Sequence, residues 1–91
     1  MYLRLTRGHI DPSKADAAQQ AVTAITAAVK ALPGCQGVQT GVDRETGRTI
    51  AVSTFDTREH ASFSRERIAE PFKGLLALGY IPQDPEIYEV Q

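Results

Sequence analysis

The chain has 91 residues, 10 Lys and Arg against 11 Asp and Glu, and a single cysteine. That is one small domain with no basic patch, so nothing in the charge argues for nucleic acid or an anionic membrane surface. Cys35 has no partner for an internal disulfide, no apolar run approaches the ~20 residues of a membrane span, and no charged-then-apolar leader opens the chain. The expected compartment is a reducing cytoplasm.

Tyr2-Leu3-Arg4-Leu5-Thr6-Arg7 alternates with period two and predicts a strand, with Gly8-His9-Ile10 turning out of it. Asp11-Pro12 is a helix start, because Asp caps free N–H groups and Pro at the first position loses no hydrogen bond. Ala18, Val22, Ile25, Val29 and Leu32 then fall on one helical face, and Pro33-Gly34 ends a helix predicted over 12–32. Val38, Thr40 and Val42 mark a strand over 37–43. The polar stretch Asp43-Arg44-Glu45-Thr46-Gly47 is a hairpin loop, and 48–55 is the returning strand.

Asp56, with Glu59 three residues on, has the spacing of a capping box. The helix that follows is predicted in two pieces, 57–69 and 71–78, broken at Pro71, with Arg65-Glu66-Arg67 on its solvated face. Gly79 ends it, Pro82 and Pro85 stiffen the connection, and 86–90 alternates as a last strand.

Strand, helix, strand, strand, helix, strand is the order of the ferredoxin-like α+β fold. The expected four-stranded antiparallel sheet has order 4-1-3-2, its two central strands are taken as parallel, and both helices cover one face. Of the two parity sets, Leu3, Leu5, Ile50 and Val52 form one; Tyr2, Arg4, Thr6, Ala51, Ser53 and Phe55 form the other. The second face is read as holding the small, hydroxyl and aromatic set, with Arg4 available to an acid across an interface, such as Glu89, or to an anionic ligand. A face so poor in charge calls for a cover, and a twofold copy of the same sheet is the simplest one. A homodimer is expected.

Leu32-Pro33-Gly34-Cys35-Gln36-Gly37-Val38, Ala51-Val52-Ser53-Thr54-Phe55-Asp56-Thr57 and Pro85-Glu86-Ile87-Tyr88-Glu89-Val90 resemble the antibiotic biosynthesis monooxygenase-like proteins of the dimeric α/β-barrel superfamily. The resemblance implies a homodimeric barrel and a pocket between sheet and helices in each subunit. Some members oxidise polycyclic phenols with molecular oxygen and no cofactor; others degrade haem; many have no established activity. The haem degraders use an Asn on the first strand, a Trp near the end of the third and a His on the second helix. This chain has neither Asn nor Trp, carries Phe55 where the family usually has Trp, and places His60 near the start of its helix. Haem chemistry is not expected, and no cofactor is.

With the two central strands parallel, their C-terminal ends would gather His9, Asp11, Phe55, Asp56 and His60 around two helix N-termini. His9 and His60 are the candidate catalytic residues for proton transfer there; the alternative is two capping Asp and two surface His. Two His and two capping Asp offer a metal too few ligands, and no metal is expected. Phe55, Phe63 and Phe72, with Arg4, are the candidate lining of a pocket for a small aromatic molecule; plain core packing is the other reading of these aromatics. The third strand lacks the central aromatics of an RNA-recognition sheet, no Cys-x-x-Cys precedes the first helix, and no glycine cluster cradles a phosphate. Two functions remain: a cofactor-independent monooxygenase for an aromatic or quinone-type molecule, or a non-catalytic dimeric binding or structural domain. The first predicts a largely apolar pocket with one or two polar groups, the second an interior filled by side chains.

Overall fold

β1 (Tyr2–His9) and β3 (Arg48–Phe55) form the centre of the sheet in a computed structural model that describes residues 1–91. They run antiparallel over their full length, from Tyr2 opposite Phe55 to His9 opposite Arg48. β2 (Cys35–Val42) pairs with the other edge of β3 through the expected hairpin, and β4 (Ile81–Pro82) and β5 (Glu86–Glu89) share the free edge of β1. The order of positions is the one expected, with the outer position split by the Gln83–Pro85 stretch into two short strands.

The strand direction differs from expectation. The helical crossover returns the chain parallel to β1, and the tight hairpin then reverses it, so β3 must run against β1. Gly47, at φ +84°, closes that hairpin: its N–H donates to the Asp43 carbonyl at 2.7 Å, and its own carbonyl accepts from Ile10 N–H at 2.8 Å. A left-handed φ of this kind suits glycine and little else.

The first helical segment is also shorter than predicted. Asp11 caps as expected, its carboxylate accepting from Ser13 N–H at 2.9 Å, but it opens a single 3-10 turn (Pro12–Lys14), and α1 runs Gln19–Lys30. In the second helical region the break falls at Ser62–Ser64, between α2 (Arg58–Ala61) and a 3-10 turn (Arg65–Ile68) that leads into α3 (Ala69–Leu76). Pro71 causes no break because it lies in the first turn of α3, where its missing N–H has no helical partner to lose. Thr57, rather than Asp56, caps α2, its hydroxyl accepting from His60 N–H at 3.1 Å.

Both helical layers lie on the sheet face that carries Tyr2, Arg4, Ser53, Phe55, Val38 and Ile87. Val29, Phe55, Ala61 and Ile68 form one buried cluster there, and Ile10, Ala18 and Leu75 a second. The face assignment read from parity is therefore reversed. Leu3, Leu5, Ile50 and Val52 point to the open side, with Ile81 and Tyr88 exposed beside them, while Arg4 points in beneath the helices. No helix is long and apolar enough to cross a membrane.

Candidate functional site

Between the helices and the sheet the side chains do not meet completely. They leave a cavity of about 370 Å³, within the range of small-molecule sites. Val22, Ile25 and Val29 of α1 form one wall. Phe63, Ile68, Phe72 and Leu75 form another, and the sheet supplies Arg4, Thr6, Thr49, Ala51 and Ser53 as the floor. The floor is polar because β1 and β3 direct their hydroxyl-bearing parity inward. Small residues there, Ala51 and Ser53 above all, leave volume unfilled.

Arg4 is only 6% exposed. One of its terminal nitrogens, Nη1, donates to the main-chain oxygens of Ala61 and Phe63, both at 2.9 Å, and its Cζ lies 3.8 Å from the centre of the Phe63 ring. These bonds occupy carbonyls at the end of α2 and just after it, so the arginine also pins the α2-to-α3 break. Burial, and secondly the charge of Arg65, push its pKa down to about 10. It stays a cation at neutral pH. Arg65 borders the same cavity, its Cζ 5.3 Å from the Phe72 ring centre and its Nη2 donating to the Gln83 carbonyl at 3.1 Å. Tyr80 stands edge-on to Phe72 at 5.9 Å between centres, with its hydroxyl 3.5 Å from that of Thr49; the missing side chain of Gly8 leaves room for its ring. Arg4, Arg65 and Tyr80 are the ionisable groups around the cavity; no Asp, Glu or His borders it.

No protein-family model matches the sequence, and no curated protein does. Solved structures do. A candidate antibiotic biosynthesis monooxygenase from Nitrosomonas europaea superposes with a TM-score of 0.78 at 15% identity, over 99% of this chain and 98% of that one. Its counterpart from Deinococcus radiodurans gives 0.74 at 16% identity, over 100% and 93%. A variant of SnoaB, a cofactor-independent oxygenase from Streptomyces nogalater, gives 0.66 at 12% identity, over 99% and 92%. The chain has the antibiotic biosynthesis monooxygenase fold.

Within that fold the residues singled out from sequence separate into three places. Arg4, Phe63 and Phe72 border the cavity. Phe55, at the position where the resemblance expects Trp, does not: it is wholly buried, packed 5.8 Å from Phe63 between ring centres. His9 and His60 lie at opposite ends of the sheet, because antiparallel pairing puts His9 beside Arg48 and Tyr2 beside Phe55. Along the strand those ends are about 23 Å apart. The constellation expected from parallel strands therefore does not assemble. His9 Nε2 lies 3.0 Å from the Thr46 carbonyl at one end. At the other, His60 Nδ1 lies 2.7 Å from the Asp56 carboxylate. Hydrogen bonding from His60, first of all, holds the Asp56 carboxyl below its ordinary range. This pair packs over Gly34 at φ +77°, where an added Cβ would collide with both side chains, and Asp56 N–H donates to the Gly34 carbonyl at 3.0 Å. It fastens the α1–β2 turn to the β3–α2 turn. Cys35, half-buried, packs against the Phe55 cluster with its thiol 3.7 Å from the Gly37 carbonyl.

Thr6, Thr49, Ser53, Arg65 and Tyr80 border the cavity and were not expected there. A signal for the first three was present: the strand parity that contains Phe55 is half polar, which marks an inward face around a hollow as readily as a solvent face. Arg65 reads as a solvated charge because its approach to Phe72, seven residues on, joins a 3-10 turn to the helix that follows it, a contact that charge patterning alone does not show.

Proposed function

We propose that this chain is a cofactor-independent monooxygenase-like enzyme acting on a small aromatic or quinone-type molecule held in the cavity. We propose also that it works as a homodimer joined through the open sheet face. The observation that carries the reading is the cavity: apolar and aromatic walls, a few polar groups on the floor, and the shared fold with SnoaB, itself a cofactor-independent oxygenase. With no cofactor, the substrate must supply every electron that reduces O2. An activated ring CH2 satisfies the balance: it becomes C=O with one oxygen atom, and its two hydrogens leave with the other as water. The apolar walls pack against the reacting ring, and the cationic floor stabilises the anion formed when that carbon loses its proton.

A second reading, binding without turnover, is favoured by one observation: no carboxylate or imidazole borders the cavity to take the proton. Incubation with a panel of quinols and polycyclic phenols under 18O2 separates the two. Enzyme-dependent oxygen uptake, with one labelled atom in the product and loss of the effect when Ser53→Leu fills the cavity, is the expected result. Ligand binding with no label incorporated would leave only the second reading.

A further inference from the structure

The Arg4 guanidinium carries five N–H donors, of which the two on Nη1 are occupied by Ala61 and Phe63 carbonyls. No carboxylate forms an ion pair with it; the ion pairs belong to Arg7, Arg44, Arg48, His60 and Lys73. Every fully buried side-chain nitrogen and oxygen has a hydrogen-bond partner. The Nε and Nη2 donors have none and so are not fully buried, and Arg4 is one of the residues that line the cavity. Ser53 lies directly across the β1–β3 ladder from Arg4, is also 6% exposed, and borders the same space. Arg65 adds a second cation to the wall and no acidic side chain offsets either one. A desolvated cation without a counter-charge is costly, and an anion entering the cavity relieves that cost.

The free edge selects among anions. Nε–H and one Nη2–H of a guanidinium run parallel and match the two oxygens of a carboxylate; a phenolate offers them one. We infer that the cavity takes an aromatic carboxylate, its two oxygens on the Nε–Nη2 edge of Arg4 beside the Ser53 hydroxyl, with Arg65 as the second cation and the ring against Phe63 and Phe72. This rests on the proposal that the cavity is the ligand site, and narrows its substrate class from aromatic molecules to aromatic acids.

Calorimetric titration of the full chain with 2-naphthoate, its methyl ester and 2-naphthol tests it. The acid is expected to bind roughly ten- to hundredfold more tightly than the ester or the naphthol, the worth of a charge-assisted pair. Arg4→Lys keeps the charge but loses the parallel donors, and is expected to lose most of that preference. Arg65→Met, further from the core, reduces it while leaving thermal unfolding near that of the parent, and serves where Arg4→Lys fails to fold. Equal affinity for acid and ester, no binding of the acid at millimolar concentration, or an unchanged preference in both variants overturns the inference. Acid-selective binding without oxygen uptake leaves the carboxylate site standing and removes the oxygenase. Uptake with neutral quinols and no preference for acids does the reverse.

Discussion

The two faces of this sheet mix polar and apolar residues in different ways. Beneath the helices, beside the buried Phe55 and the half-buried Val38 and Ile87, lie Arg4, Thr6, Thr49 and Ser53; on the open side Leu3, Leu5, Ile50 and Val52 lie around the Arg7–Glu86 ion pair. The polar residues inside border the cavity, and Leu3, Leu5, Ile50 and Val52 outside are the face through which the proposed homodimer would join.

The largest expected effect breaks the outer face. Leu5→Asp puts an unpaired acid between Val52 and Glu86, its partners on the neighbouring strands, and sedimentation should show the particle fall from about twice the 9.9 kDa chain mass to a single chain. A parent protein that already sediments as one chain at micromolar concentration would sink the homodimer. Next in size is Phe55→Ala on the inner face. Phe55 is wholly buried, so truncation should cost about 3–5 kcal/mol in urea unfolding, much of the stability of so small a domain. Thr6→Asp then sharpens the contrast with its neighbour. One residue along β1 and on the opposite face, it should leave the assembly intact while weakening 2-naphthoate binding about tenfold, because a carboxylate facing Arg4 competes with the ligand.

The smallest effect belongs to the Asp56–His60 pair, which takes no part in either face. The folded-state pKa of Asp56 lies below its ordinary value of 3.8, so its contribution to stability is present above that value and is lost as pH falls through the folded pKa. The melting temperature should decline below about pH 4, and His60→Ala should make that decline shallower by removing the hydrogen bond that depresses Asp56. An identical acid limb in the variant would show that the pair contributes nothing there.

Local signals served where they were local. The hairpin is legible because Asp43 through Gly47 contains its own turn chemistry, and the strand 48–55 has the bounds its β-branched run predicts. Asp11 caps as expected for the same reason. The expectation failed at Pro71 because a proline's effect depends on where the helix begins, and that is settled by the Ser62–Ser64 break that Arg4 pins from the sheet. Phe63 and Phe72 are visible as aromatics in any reading; that they border a hollow while Phe55 does not depends on how three layers of side chain fall short of one another.

Period-two alternation, turn residues and caps by themselves placed the main strands and the helical regions, and with them the βαββαβ order. They did not determine which parity faces inward, since alternation is symmetric between the two sides of a strand and an internal cavity makes the buried side look wet. The separation of His9 from His60, by contrast, is already implied by the element order, because a crossover followed by a tight hairpin sets β3 against β1.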